Sequence, residues 1–124
     1  MAHSPRQILA VVDDLFFIVK INDAAKRAGM RVEFLKSGQD LLDKALAEPP
    51  ALVILDLNCA SAQPLALIAR LKREGALKSV SVIAFVSHVQ GELKMQAQGA
   101  GADMVLARSA FSINLPQILR RHAA

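Results

Sequence analysis

The sequence predicts an α/β domain built on one parallel sheet with helices on both faces, and three observations carry that expectation. Short apolar runs alternate strictly with longer stretches of helical periodicity, five pairs in all, joined by short connections. Parallel neighbours need a helix to carry the chain back, so this alternation is what a parallel sheet requires. The central run, Leu52-Val53-Ile54-Leu55, is aliphatic without interruption, the composition of a strand covered on both faces. The runs stop on polar groups, Asp13-Asp14, Asp56, Ser87 and Arg108. A charge costs several kcal/mol to desolvate unpaired, so such groups belong where strands leave the core.

Taken in order, Ile8 to Val12 reads as the first strand. Leu15 to Ala28 has no Gly or Pro and sets Phe17, Ile21, Ala24 and Ala28 on one helical face, with Gly29 as its stop. Arg31 to Leu35 alternates polar and apolar residues as a short strand. Gln39 to Glu48 places Leu41, Leu42, Ala45 and Leu46 on one face and ends at Pro49-Pro50. Ala51 to Asp56 is the third strand. Pro64 opens a helix that runs to Glu74 and is closed by Gly75, with Leu67, Ile68 and Leu71 inward and Arg70, Lys72 and Arg73 outward. Val80 to Val86 is the fourth strand, and Gln90 to Gly99 a weaker helix leaning on Leu93 and Ala97. Asp103 to Ala107 is the fifth strand, and Phe111 to Arg121 a last helix with Ile113, Leu115, Ile118 and Leu119 inward.

Composition narrows the function. The 124 residues, 53% hydrophobic, suit one domain with a real core. Aromatic residues are only 4%, with no Trp or Tyr, which argues against stacking platforms for single-stranded nucleic acid. A single cysteine, Cys59, forms no internal disulfide and reads as a small buried residue in a reducing compartment. No apolar run reaches the roughly 20 residues of a membrane span, and Met1 to Gln7 lacks a signal-peptide core, so a soluble cytoplasmic protein with no membrane partner is expected. The net charge of +4 is scattered, and only Arg120-Arg121-His122 clusters, so a solvated surface outweighs nucleic-acid binding. His3, His88 and His122 show no metal-ligand spacing with Cys59.

In a parallel sheet the residues that follow each strand gather along one edge, where ligands bind. Here that edge collects Asp13, Asp14, Asp56, Ser87 and Arg108. Three convergent carboxylates repel one another and call for a cation. Hard oxygen ligands suit Mg²⁺, and a hydroxyl and a guanidinium beside it suit phosphoryl oxygens. The set reads as phosphoryl chemistry on an aspartate. Each residue also has a plainer use: Asp13 and Asp14 as helix caps, Ser87 as a cap of the fourth helix, and Arg108 as an ion-pair partner.

Val11-Val12-Asp13-Asp14, Leu55-Asp56-Leu57-Asn58, Val86-Ser87 and Gly101-Ala102-Asp103 together resemble the receiver domains of two-component response regulators, across essentially the whole chain. The resemblance implies a flavodoxin-like, doubly wound five-stranded sheet in the order 2-1-3-4-5. It implies that Asp56 accepts the phosphoryl group, that Asp13, Asp14, Asp56 and the backbone carbonyl of Asn58 hold Mg²⁺, and that Ser87 is the switch hydroxyl. A histidine kinase or phosphotransfer protein would be the donor and a downstream protein the reader. Homodimers through the fourth and fifth helices are common in such domains. The domain would assist only its own phosphorylation and dephosphorylation, having no other substrate.

The chain departs from that pattern in the parts that relay the signal. Arg108 stands where the family has lysine, a planar fork in place of a point charge, with the reach to clamp Asp56 bidentately. Ser109 replaces a proline, Val105 an aromatic residue, and Cys59 to Gln63 lacks the usual Met-Pro and Asp-Gly. His88 brings bulk where small residues are common and reads as a gate on access to Asp56. These departures keep open a second expectation: a receiver-like interaction module that works without phosphorylation. With 124 residues there is no room for an output domain, so the chain either acts alone through protein contacts or belongs to something longer.

Overall fold

The computed structural model describes residues 6–59, 62–87 and 91–123. Five strands, β1 (Gln7–Val11), β2 (Arg31–Phe34), β3 (Leu52–Asp56), β4 (Ser81–Val86) and β5 (Met104–Ala107), form one sheet in the order β2-β1-β3-β4-β5. Every pairing is parallel, with Ile8 beside Leu52 and Asp56 beside Phe85 fixing the register around the central strand. The connections are α1 (Leu15–Ala28), α2 (Gly38–Ala47), α3 (Pro64–Arg73), α4 (Gly91–Ala100) and α5 (Arg108–Ala123). This is the flavodoxin-like arrangement the sequence predicts.

Strand side chains alternate between faces, so the apolar runs feed two separate cores. Leu9, Val11, Val53, Leu55, Val82 and Ala84 pack against α2, α3 and α4, chiefly through Leu41, Leu42, Leu67, Ile68, Leu71 and Ala97. On the other face Ile8, Ala10, Leu52, Ile54, Ile83 and Phe85 meet α1 and α5 through Phe17, Ile21, Phe111, Leu115 and Leu119. Burial on both faces explains why β3 has no alternation of its own: all five of its residues are buried.

The elements depart from the sequence reading in a few places. The last helix starts at Arg108, three residues before Phe111, so no loop separates it from β5. Apolar periodicity marks only a helix's buried stripe, and the first turn here, Arg108-Ser109-Ala110, carries none of it. Ile113 is 78% exposed, because two residues from Phe111 is about 200° around the helix. Leu46 is likewise turned out, and in α1 it is Ala25, one residue after Ala24, that is fully buried. Gly75 does not close α3; Glu74 does, and Gly75–Leu77 forms a 3-10 turn that seats Leu77 in the core. Lys72 is not simply outward: its Nζ donates to Val80 O at 3.1 Å and to Asp103 Oδ2 at 2.7 Å.

Asp103 Oδ2 also accepts the Val82 N–H at 2.7 Å, which ties α3, β4 and the start of β5 together at the sheet's far end. Gly101 enters that knot at φ +118°, where a Cβ would stand 2.7 Å from Lys72 Cγ. The Gly101-Ala102-Asp103 stretch therefore has a structural role remote from the acidic edge. Gly29 ends α1 in the left-handed region, donating its N–H to the carbonyls of Ala25 and Lys26.

Candidate functional site

The strands all leave the core at the same edge, and β3 delivers Asp56 there. Its side chain is the one buried charged group among the described residues, with 6% of its surface exposed. Leu57 N donates to Phe85 O at 2.8 Å, which carries the β3–β4 ladder one residue past Asp56 and sets the carboxylate in place. Oδ1 accepts the Asn58 N–H at 2.9 Å, the local turn that an Asp two residues earlier favours. Loss of water pushes the Asp56 carboxyl above its ordinary value. The Asn58 N–H and the charge of Arg108 pull it down, and the charges of Asp13 and Asp14 push it further up.

Asp14 lies at the mouth of α1 and is used on both oxygens. Oδ1 accepts from Phe16 N at 2.9 Å and Phe17 N at 3.4 Å, capping the helix. Oδ2 takes Nη2 of Arg108 as an ion pair and hydrogen bond. Burial works against its charge, but the bond from Arg108, the two N–H groups and the arginine's charge together hold its carboxyl below the ordinary range. Both uses read from the sequence, cap and ion pair, are realised at once. The bidentate clamp of Arg108 on Asp56 is not formed. Arg108 stands on the first turn of α5, which packs on α1, so its guanidinium meets the α1 cap and lies 4.7 Å above the Phe17 ring.

That ring belongs to an aromatic cluster. Phe17 lies 4.9 Å from Phe85 and 6.0 Å from Phe111, and Phe85 4.6 Å from Phe111, so three mutually close rings join α1, β4 and α5 beneath the arginine. Asp13 is exposed, and its Oδ2 accepts the Sγ–H of the buried Cys59 at 3.2 Å. A cap of α4 by Ser87 would fall on residues 88–90, outside the described residues, and the bonds that Ser87 shows run elsewhere. Its N–H and its Oγ–H both donate to Asn58 Oδ1, each at 2.8 Å. The gate expected at His88 lies outside the described residues.

Asp13, Asp14, Asp56, Asn58, Ser87 and Arg108 thus share one edge, but in three groups: Asp13 with Cys59, Asp14 with Arg108, and Ser87 with Asn58 and Asp56. The Asn58 side chain and the Cys59 thiol are partners that sequence reasoning missed. Asn58 entered it only as a backbone carbonyl, and Cys59 only as filler. Also missed is the exposed apolar face Leu15, Phe16 and Val19 on α1, next to the acid pair. Its signal was present, as apolar residues lying off the stripe of Phe17 and Ile21.

As ligands for a hard cation, Asp13, Asp56 and the Asn58 carbonyl supply the right kind of oxygen. Asp14 is the right kind of ligand too, but both its oxygens are engaged, by the α1 cap and by Arg108. Among the described residues no three His, Cys, Asp or Glu side chains stand ready to share one ion.

The family model of the response regulator receiver domain matches residues 8–120, nearly the whole chain. The chain belongs to that family. No curated protein matches it. Solved structures resemble it closely in shape at low identity. A response regulator from Hahella chejuensis is 21% identical with a TM-score of 0.84, covering 94% of each chain. Chemotaxis response regulator CheY4 of Vibrio cholerae is 20% identical with a TM-score of 0.82, covering 96% of this chain and 99% of its own. The phosphorylated cyanobacterial phytochrome response regulator RcpA is 20% identical with a TM-score of 0.77, covering 95% of this chain and 91% of its own. No helix among the described residues of this receiver is long and apolar enough to cross a membrane.

Proposed function

We propose that this receiver accepts a phosphoryl group on Asp56 from a histidine kinase or phosphotransfer protein and passes its state on through protein contacts. The observation that carries the reading is Asp56 itself: a buried carboxylate, raised in pKa, held at the open end of a parallel sheet with its Oδ1 tied to Asn58. That tie leaves Oδ2 to attack. The new bond joins Oδ2 to phosphorus, the bond from phosphorus to the donor breaks, and the donor atom departs with the electron pair. Mg²⁺, bound by Asp13, Asp56 and the Asn58 carbonyl, would offset charge on the phosphoryl oxygens. The exposed Leu15, Phe16 and Val19 offer a donor an apolar foothold beside the acceptor. The domain catalyses nothing beyond its own modification.

Exposure to acetyl phosphate or beryllofluoride with Mg²⁺ tests this, read by intact mass and amide NMR shifts. Parent protein responds and Asp56→Ala does not; silence of the parent at saturating reagent rejects the proposal. A second reading, an interaction module indifferent to phosphate, is favoured by Ser87 and Arg108 already being engaged by Asn58 and Asp14. Val105, buried in the strand where the family carries an aromatic lever, points the same way. Under that reading partner affinity is unchanged in Asp56→Ala, and a large loss rejects it.

A further inference from the structure

We propose that Arg108 is the built-in counter-cation of the acidic edge: it holds Asp14 out of divalent-cation coordination, so Mg²⁺ on Asp13, Asp56 and the Asn58 carbonyl gains Asp14 as a ligand only in competition with the guanidinium. The inference deepens the receiver reading, from which it takes the identity of the ion, but its geometry stands apart from any phosphorylation.

Three observations converge on it. First, both oxygens of Asp14 are engaged: Oδ1 caps α1 through the N–H groups of Phe16 and Phe17 while Oδ2 is paired with Arg108. A cation that takes Asp14 must displace the guanidinium or sit against it, like charge beside like charge. Second, the arginine is seated rather than dangling. Its guanidinium lies over Phe17, and Phe17 is stacked on Phe85, which is stacked on Phe111. An arginine held on an aromatic face and on a carboxylate loses little further entropy on pairing, so the pair resists displacement. Third, the ion pair itself sets a full positive charge against Asp14 at the acidic edge, where a divalent cation would have to approach. A lysine ammonium, flexible and without a planar face, would not be anchored on the ring in this way. The Arg108 substitution therefore changes which cation the acids see.

The proposal makes affinity for the metal, not activity, the deciding quantity. Mg²⁺ is titrated into the full chain and followed by amide shifts of Asp13, Asp14 and Asn58 or by calorimetry. Arg108→Gln is expected to bind Mg²⁺ at least tenfold more tightly than the parent. Adding Asp14→Asn to Arg108→Gln is expected to abolish that gain, because the gain is Asp14 becoming available. Should Arg108→Gln fail to fold, Arg108→Lys keeps the charge but loses the ring seat, and a several-fold gain is expected there. Equal affinity in parent and variant overturns the proposal, and so does a gain that survives Asp14→Asn. A parent that binds Mg²⁺ as expected yet takes no phosphoryl group rejects phosphoryl acceptance at Asp56 and leaves this proposal standing.

Discussion

At the scale of single residues, Asp14 and Asp56 show how two carboxylates at one edge acquire opposite behaviour. In the unfolded chain both titrate near the ordinary value of 3.8. Asp56 is raised by burial in the folded state, so folding favours its protonated form. The cost of holding it charged is absent below pH 3.8 and is complete once pH has risen through its folded value. Asp14 is lowered, so its contribution is complete above pH 3.8 and is lost as pH falls through its folded value. Asp56→Asn should therefore be more stable than the parent at pH 7, by about the 0.5–2 kcal/mol common for a single stabilising substitution, because it removes a buried charge. Asp14→Asn keeps a capping oxygen but loses the ion pair, and should melt lower at pH 7. Thermal melts from pH 7 down to 3 check both signs, since each difference should shrink as the pH falls. A destabilised Asp56→Asn at neutral pH would contradict this account of the site.

Between residues and the whole stand the elements, and here the limits of the sequence are easiest to see. The sheet and its helices were legible because burial on both faces imposes apolar runs on strands and a stripe on each helix. The positions of Asp13, Asp14, Asp56, Ser87 and Arg108 on one edge followed from strand direction alone. What Arg108 and Ser87 do there was not legible. Arg108 is 94 residues from Asp14 and Ser87 is 29 from Asn58, so their partners are set by how α5 packs on α1 and how β4 lies beside β3. No local pattern records such packing. The aromatic cluster of Phe17, Phe85 and Phe111 was hidden for the same reason, three residues on three elements. It predicts a specific cost: Phe85, fully buried at the centre, should destabilise the fold by about 3–5 kcal/mol on truncation to Ala, measured by urea unfolding. Replacement by Leu should cost markedly less, because it refills most of the volume.

Across the whole molecule the sheet separates two cores, and the acidic edge is attached to them unequally. Asp14 belongs to α1 and Arg108 to α5, and both rest on the layer that holds Phe17, Phe85 and Phe111. The α2, α3 and α4 layer reaches the edge through loops that follow β3 and β4, where Asn58 holds Ser87. A change at Arg108 should therefore loosen one layer and leave the other as it was. Breaking the ion pair frees the Asp14 side chain that caps α1 and unseats the first turn of α5, while the packing of Leu41 and Leu42 beneath α2 is untouched. Local opening is read directly by amide hydrogen exchange, which spans free energies from near zero to the global value. In Arg108→Gln, exchange in the first turns of α1 and α5 should accelerate by roughly tenfold, the signature of a local loosening rather than of global unfolding. Exchange in α2 should stay within error of the parent. Uniform acceleration over all the helices would mean that the arginine supports the fold as a whole. Acceleration confined to α1 and α5 would show that the acidic edge is mechanically tied to one face of the sheet, the face from which any change at Asp14 or Arg108 spreads first.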